Sequence, residues 1–141
     1  MKPKRRGITW TSCSDGFEDG PRVLGLNPWI HDFAAYGLWS RPAGLLAVLH
    51  MLRAAGARVA LMDCLDRAWS PDSWPRAHPT GKGPYLKTPL PTPAALQGVP
   101  RRYSRYGHRP DTVREALRHL SPKPDLVLVT TVMTYWYPGA A

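Results

Sequence analysis

Cysteine is nearly missing from this sequence: Cys13 and Cys64 are the only two, and they do not form a C-x-x-C pair. That argues against a disulfide scaffold and leaves too few thiolates for a zinc or iron–sulfur site built within the chain, so a reducing cytoplasm is the expected compartment. Acidic residues are also scarce, with 10 Asp and Glu against 19 Lys and Arg, a formal net charge of +9. Such a balance suits an anionic partner: nucleic acid, a phosphate-bearing cofactor or an acidic neighbouring domain. Charge alone selects none of them. No apolar run approaches the roughly 18 residues of a membrane span, and the basic start "MKPKRRGITWTSCSDG" has no apolar core of a signal peptide. Phosphate-binding signatures are missing too. The first crossover carries "GLNPW" where a dinucleotide fold has G-x-G-x-x-G, and "TGKG" (80–83) has neither the upstream glycine nor the Ser or Thr of a phosphate loop, so it reads as a turn.

What is present reads as one α/β domain. At 141 residues with 43% hydrophobic content, the chain is long enough for a core and short for more than one domain. Residues 1–20 are polar, without a sustained period, and read as a flexible leader; 21–141 form the domain. "RVLGLNP" (22–28) is a short apolar run stopped by Asn-Pro, the pattern of a buried parallel strand. From Gly44 to Ala55, Leu45, Leu46, Val48, Leu49 and Leu52 recur at helical spacing, with Gly56 as a C-terminal cap. "RVALMDCLD" (58–66) supplies the next strand and completes a right-handed crossover unit. Residues 67–110 carry eight prolines between Pro71 and Pro100 and form a long excursion, with Trp69, Trp74, Tyr85, Tyr103 and Tyr106 available to anchor it. Asp111 is expected to cap a short helix to about Leu120, and "DLVLVTTVMTYWYP" gives a third strand, near 125–131, and its exit, with Pro138 where a next helix would begin. The fold expected is an open, three-stranded parallel sheet with the first strand in the middle.

In such a sheet the carboxyl ends of the strands share one edge, so residues 27–41, 63–67 and 131–138 should converge there. Asn27, His31, Asp32, Tyr36, Trp39 and Arg41 are candidates to line a pocket for a planar, polar ligand. The alternative is that Trp29, Phe33 and Trp39 roof the sheet while His31 and Asp32 are solvated. Asp63 and Asp66 flank Cys64 at the end of the second strand, where an acid can bind a ribose hydroxyl; capping or fixing a loop is the favoured role. "RRYSRYGHR" (101–109) alternates arginine and tyrosine, a pattern suited to phosphates and stacked bases, which keeps open a basic adaptor binding RNA or another polyanion through Arg101, Arg102, Arg105 and Arg109. Its alternative has the tyrosines packed down and the arginines facing water or an acidic domain. "TTVMTYWYPG" (130–139) either walls a cofactor pocket or covers the sheet's end. His50 and His119 have no second ligand at metal spacing and read as ordinary surface or boundary residues.

With "LGLNPWIHDFAAYGLWSRPAGLL", "DCLDR", "GKGPYLKTPLPTP", "RRYSRYG" and "VTTVMTYWYPG" in this order, residues 22–139 resemble the N-terminal part of radical SAM proteins that carry a cobalamin-binding-like domain. The resemblance implies a flavodoxin-like or Rossmann-like, cobalamin-binding-type domain, incomplete at its C-terminal end. It implies as partner a downstream barrel that binds an iron–sulfur cluster through C-x-x-x-C-x-x-C and cleaves S-adenosylmethionine. Neither the cluster motif nor the barrel is in this chain, so it would not run that chemistry alone. The implied cofactor-binding residues are Asn27, His31, Asp32, Tyr36, Trp39, Arg41, Asp63, Thr131, Thr134 and Tyr135, at the carboxyl edge. The corrinoid motif D-x-H-x-x-G is replaced by "HDFAAYG", which argues against histidine on cobalt. A structural cap for the barrel is the remaining alternative.

Overall fold

The computed structural model describes residues 7–12, 19–38, 41–69 and 74–141 of the chain. The elements follow in the order β1 (Arg22–Asn27), β2 (Ile30–Asp32), β3 (Tyr36–Gly37), α1 (Ala43–Ala54), β4 (Arg58–Asp63), β5 (Gly83–Pro84), β6 (Lys87–Pro89), β7 (Ser104–Tyr106), α2 (Pro110–His119) and β8 (Leu126–Val129). Three of them make the parallel sheet expected, in the order β4-β1-β8, with the first strand central. The molecule is a mixed α/β domain, with one helix on each face of that sheet.

The two faces separate by the alternation of a strand. Val23 of β1 and Val59 of β4 face α1, which sets Leu45 and Leu49 on them together with Ala57. Gly25 lies beneath this helix, and a Cβ there would stand 2.5 Å from Leu49 Cδ1. Helix α1 stops where the sequence says it should: Gly56 takes φ +98°, its N–H bonds to Arg53 O, and the Ala57 N–H reaches back to Leu52 O. Those two bonds serve carbonyls that the helix end would otherwise leave bare. On the other face Leu24, Ala60, Met62 and Cys64 pack with Val113 of α2 and with Leu120. Each buried leucine, valine or methionine among them contributes about 1.5–3 kcal/mol of transfer free energy.

Helix α2 begins differently from the sequence expectation. Its N-cap is Arg109, Pro110 occupies the first helical position, and Asp111 sits in the first turn without a side-chain capping bond. The fixed φ of proline and its missing N–H suit that first position, which puts the cap at Arg109, two residues upstream of Asp111. At the other end Lys123 Nζ donates to the carbonyls of Leu117 and Arg118, both at 3.0 Å. Pro138, expected to open a further helix, lies inside a short 3-10 helix, Thr134–Gly139. Strand β4 ends at Asp63 rather than at Asp66, because the chain turns at once through Asp63–Asp66.

Arg22 and Asp125 fasten β8 to the start of β1, the guanidinium Nε and the Arg22 N–H both donating to Asp125 Oδ2 at 2.9 and 2.8 Å. Those bonds hold the Asp125 carboxyl down at about 2. Part of the leader is anchored too: Thr11 pairs with Val59, Ile8 and Trp10 pack on the core, and Trp10 Nε1 donates to Pro122 O at 3.1 Å. Residues 1–6 and 13–18, with Cys13, lie outside the described residues.

Among the described residues the proline-rich excursion contains no long element. It supplies β5, which pairs with β3, and β6 and β7, which complete a small antiparallel sheet in the order β2-β7-β6. Tyr85, Tyr103 and Tyr106 are buried and Trp69 and Trp74 half-buried, so its aromatics anchor the excursion as expected. The exit from β7 is a tight fit. Gly107 takes φ +122°, and a Cβ there would lie 2.6 Å from Cys64 O. Gly107→Ala therefore combines a backbone conformation unfavourable for L-residues with a clash against main chain that cannot swing aside. We expect it to cost about 1–3 kcal/mol of folding stability by denaturant melts; a midpoint equal to that of the unmodified chain would contradict the close approach.

Candidate functional site

Asn27 and Asp63 close β1 and β4 as register partners, which places two polar side chains at the carboxyl edge of the sheet. Both are buried. A buried carboxylate needs donors, and Asp63 Oδ1 accepts from Asn27 Nδ2 at 2.8 Å and from the Leu65 N–H at 3.0 Å. Its other oxygen lies 3.5 Å from an Arg41 guanidinium nitrogen, and that nitrogen is 3.0 Å from Asp66 Oδ1. Arg41 stands just before α1, so one carboxylate links the exits of two strands to the entry of the helix between them. Burial pushes the Asp63 carboxyl above the usual carboxylate range, against the pull of the Leu65 and Asn27 bonds. Asp66 in turn accepts from the Ala68 N–H at 3.1 Å. This is the loop-fixing arrangement.

A second knot holds the excursion to the same edge. The buried His108 donates its backbone N–H to Cys64 O at 2.8 Å, and its Nε2 lies 2.8 Å from Asp66 O. Since a carbonyl only accepts, this contact assigns the proton to Nε2. The rings of Trp69 and Trp74 stand edge-on to the imidazole at 4.7 and 4.9 Å, and burial pushes its pKa below the ordinary value. Trp29 Nε1 donates to His108 O at 2.5 Å. Asp32 Oδ2 accepts from Trp136 Nε1 at 2.8 Å, which ties the exit of β8 to β2. Between these groups lies a cavity of about 10 Å³, lined by Asn27, Trp29, Leu65, Thr131, Val132 and Trp136. That is room for one water.

The three chain segments expected at the carboxyl edge thus do meet there. Asn27, Arg41 and Asp63 form one cluster, Asp32 joins Trp136, and Thr131 lines the cavity. Thr134 and Tyr135 are exposed on the exit turn. Tyr36 is also exposed, in β3 opposite Pro84. His31 sits in β2 opposite Arg105, with Nε2 buried and no bonding partner among the described residues; burial and then the charge of Arg105 lower its pKa. Trp39 lies outside the described residues. In the arginine–tyrosine segment the tyrosines pack down, Arg101, Arg102 and Arg109 are exposed, and the Arg105 guanidinium lies over the Trp29 ring at 5.9 Å. Among the described residues no three His, Cys, Asp or Glu side chains group as metal ligands. The sequence reading missed His108 and Trp136. The signal for His108 was the glycine before it, which lets the backbone reach Cys64 O.

Replacing Asn27 by Leu removes a donor from a buried carboxylate, and we expect it to cost about 1–3 kcal/mol at neutral pH. The sign of its pH dependence follows from Asp63. Losing Asn27 raises that pKa further, so folding takes up a proton more readily in the variant and its deficit narrows as pH falls through the raised value. Thermal melts of the two chains across this interval check it; a deficit independent of pH would show that Asn27 acts by packing alone. No protein-family model, curated protein or solved structure matches the chain.

Proposed function

We propose that the chain is an accessory α/β domain of a radical SAM protein, and that it packs against the catalytic barrel through β8 and the exit that follows it. One observation carries this reading. In parallel sheets strands are ordinarily covered on both faces, yet Leu126, Val127 and Val129 of β8 are 50, 46 and 48% exposed. The apolar surface continues into Val132, Met133 and Tyr135 along the exit. An open strand edge beside contiguous apolar side chains is what an interface leaves bare when its partner is away. The chain's excess of positive charge adds attraction toward an acidic neighbour.

Cobalamin is the cofactor implied by the resemblance, and the residues present do not fit a corrinoid enclosed by this chain alone. Asn27, Asp63, Asp66 and Arg41 are engaged with one another, and the cavity at the strand ends holds one water at most. The role proposed is therefore docking, with the Asp63 and His108 knots holding the strand ends in place. No helix among the described residues is long and apolar enough to cross a membrane.

Sedimentation of the chain mixed with a separately produced barrel domain from a family member tests this. A stoichiometric complex is expected, weakened at least about tenfold by Val129→Lys, which puts a charge within the exposed apolar surface between Leu126 and Tyr135. No complex, with the chain alone a concentration-independent monomer, would contradict the reading.

A further inference from the structure

We propose that the cleft along the outer edge of β4 binds an amphiphilic oxyanion, a carboxylate or phosphate monoester carried on an apolar chain. Thr11 and Val59 exchange two backbone bonds, at 2.8 and 2.9 Å, as an isolated antiparallel bridge. Continuing that ladder would set Thr9 opposite Leu61. The pairing does not continue; the chains part, and a cleft of about 370 Å³ opens between Thr9 and Leu61. Successive residues of a strand send their N–H and C=O to opposite sides, so Leu61 presents its own to the same outer edge as Val59.

The cleft combines an apolar wall with donors that lack acceptors. Ile8, Leu46 and Leu49 supply the wall. Arg53 Nε and Trp69 Nε1 both line the cleft, and both are buried with no bonding partner among the described residues. His50 stands one helical turn before Arg53 and lines it too. Among the described residues that line it there is no Asp or Glu. Buried N–H groups are rarely left without an acceptor, and a guanidinium N–H favours an oxygen that carries negative charge. The volume falls in the range of small-molecule sites, about 300–1,000 Å³, while the wall suits an alkyl chain. This inference is independent of docking through β8, which lies at the opposite edge of the sheet.

Calorimetric titration of the full chain with octanoate, octyl phosphate and 1-octanol tests it. Both anions should bind at one site, and 1-octanol at least about tenfold more weakly. The tighter anion identifies the headgroup. Arg53→Met should weaken the anions about tenfold or more and leave 1-octanol unchanged, and Trp69→Phe, which keeps a smaller aromatic ring and removes the N–H, should weaken them less. Arg114→Met, on α2 and outside the cleft, should bind like the unmodified chain. In an amide correlation spectrum, the indole N–H resonance missing from Trp69→Phe should be one that shifts with octanoate. Equal binding of 1-octanol, an unaffected Arg53→Met, equal weakening by Arg114→Met, or no binding of either anion would overturn the proposal.

Discussion

A buried carboxylate is stable only where its charge is met, and Asp63 organises the carboxyl edge of this domain by that requirement. Its neighbours come from three places: Asn27 at the end of β1, the Leu65 N–H in the turn after β4, and Arg41 at the entry to α1. The register of the sheet brings Asn27 opposite Asp63, and the charge gives that amide, the Leu65 N–H and Arg41 a common acceptor. Burial alone would drive Asp63 to hold its proton; the donors oppose this, and the balance leaves the pKa raised. The fixed turn then orients Cys64 O and Asp66 O, and both carbonyls accept from His108. A polar contact at one strand end is in this way transmitted to a loop some forty residues downstream in the chain.

The proline-rich excursion is therefore a working part of the domain rather than a connector. Prolines prevent long elements, and the segment instead contributes strands of two or three residues and a set of buried tyrosines. These cover β2 and the exits of β1 and β4. By contrast, β8 is covered only where Leu128 packs against the cluster beneath α1, and Leu126, Val127 and Val129 stay exposed among the described residues. Asn27, Asp63, Asp66 and Arg41 satisfy one another at the carboxyl edge, and along β8 what remains available for a partner is apolar strand and aromatic exit. That division, polar groups turned inward and apolar surface turned out, is the physical basis for reading the chain as a docking domain.

Much of the main sheet was legible in the sequence because it depends on local pattern. The apolar runs at 22–28 and 58–66, the helical recurrence from Leu45 to Leu52 and the glycine at 56 each carry their own signal. The order β4-β1-β8 followed from the handedness of the crossover. The strands β2, β3 and β5–β7 were not legible, since two or three residues make no period. Asn27 and Asp63 were visible as candidates, but their bond joins residues in separate strands and needs the register to be known. His108 and Trp136 were hidden for the same reason: each owes its role to a partner distant in sequence, Cys64 and Asp66 for one and Asp32 for the other. The cap of α2 was misplaced because Asp111 matched a capping residue by type, whereas Pro110 decides the position.

The central claim is that Asp63 is a buried carboxylate held by Asn27. It is tested most directly by following the Asp63 side-chain carboxyl carbon by nuclear magnetic resonance as pH is varied. The titration midpoint is expected above the ordinary carboxylate range, with the Asn27 side-chain amide protons shifting in step. A midpoint in the ordinary range, with Asn27 unresponsive, would contradict it.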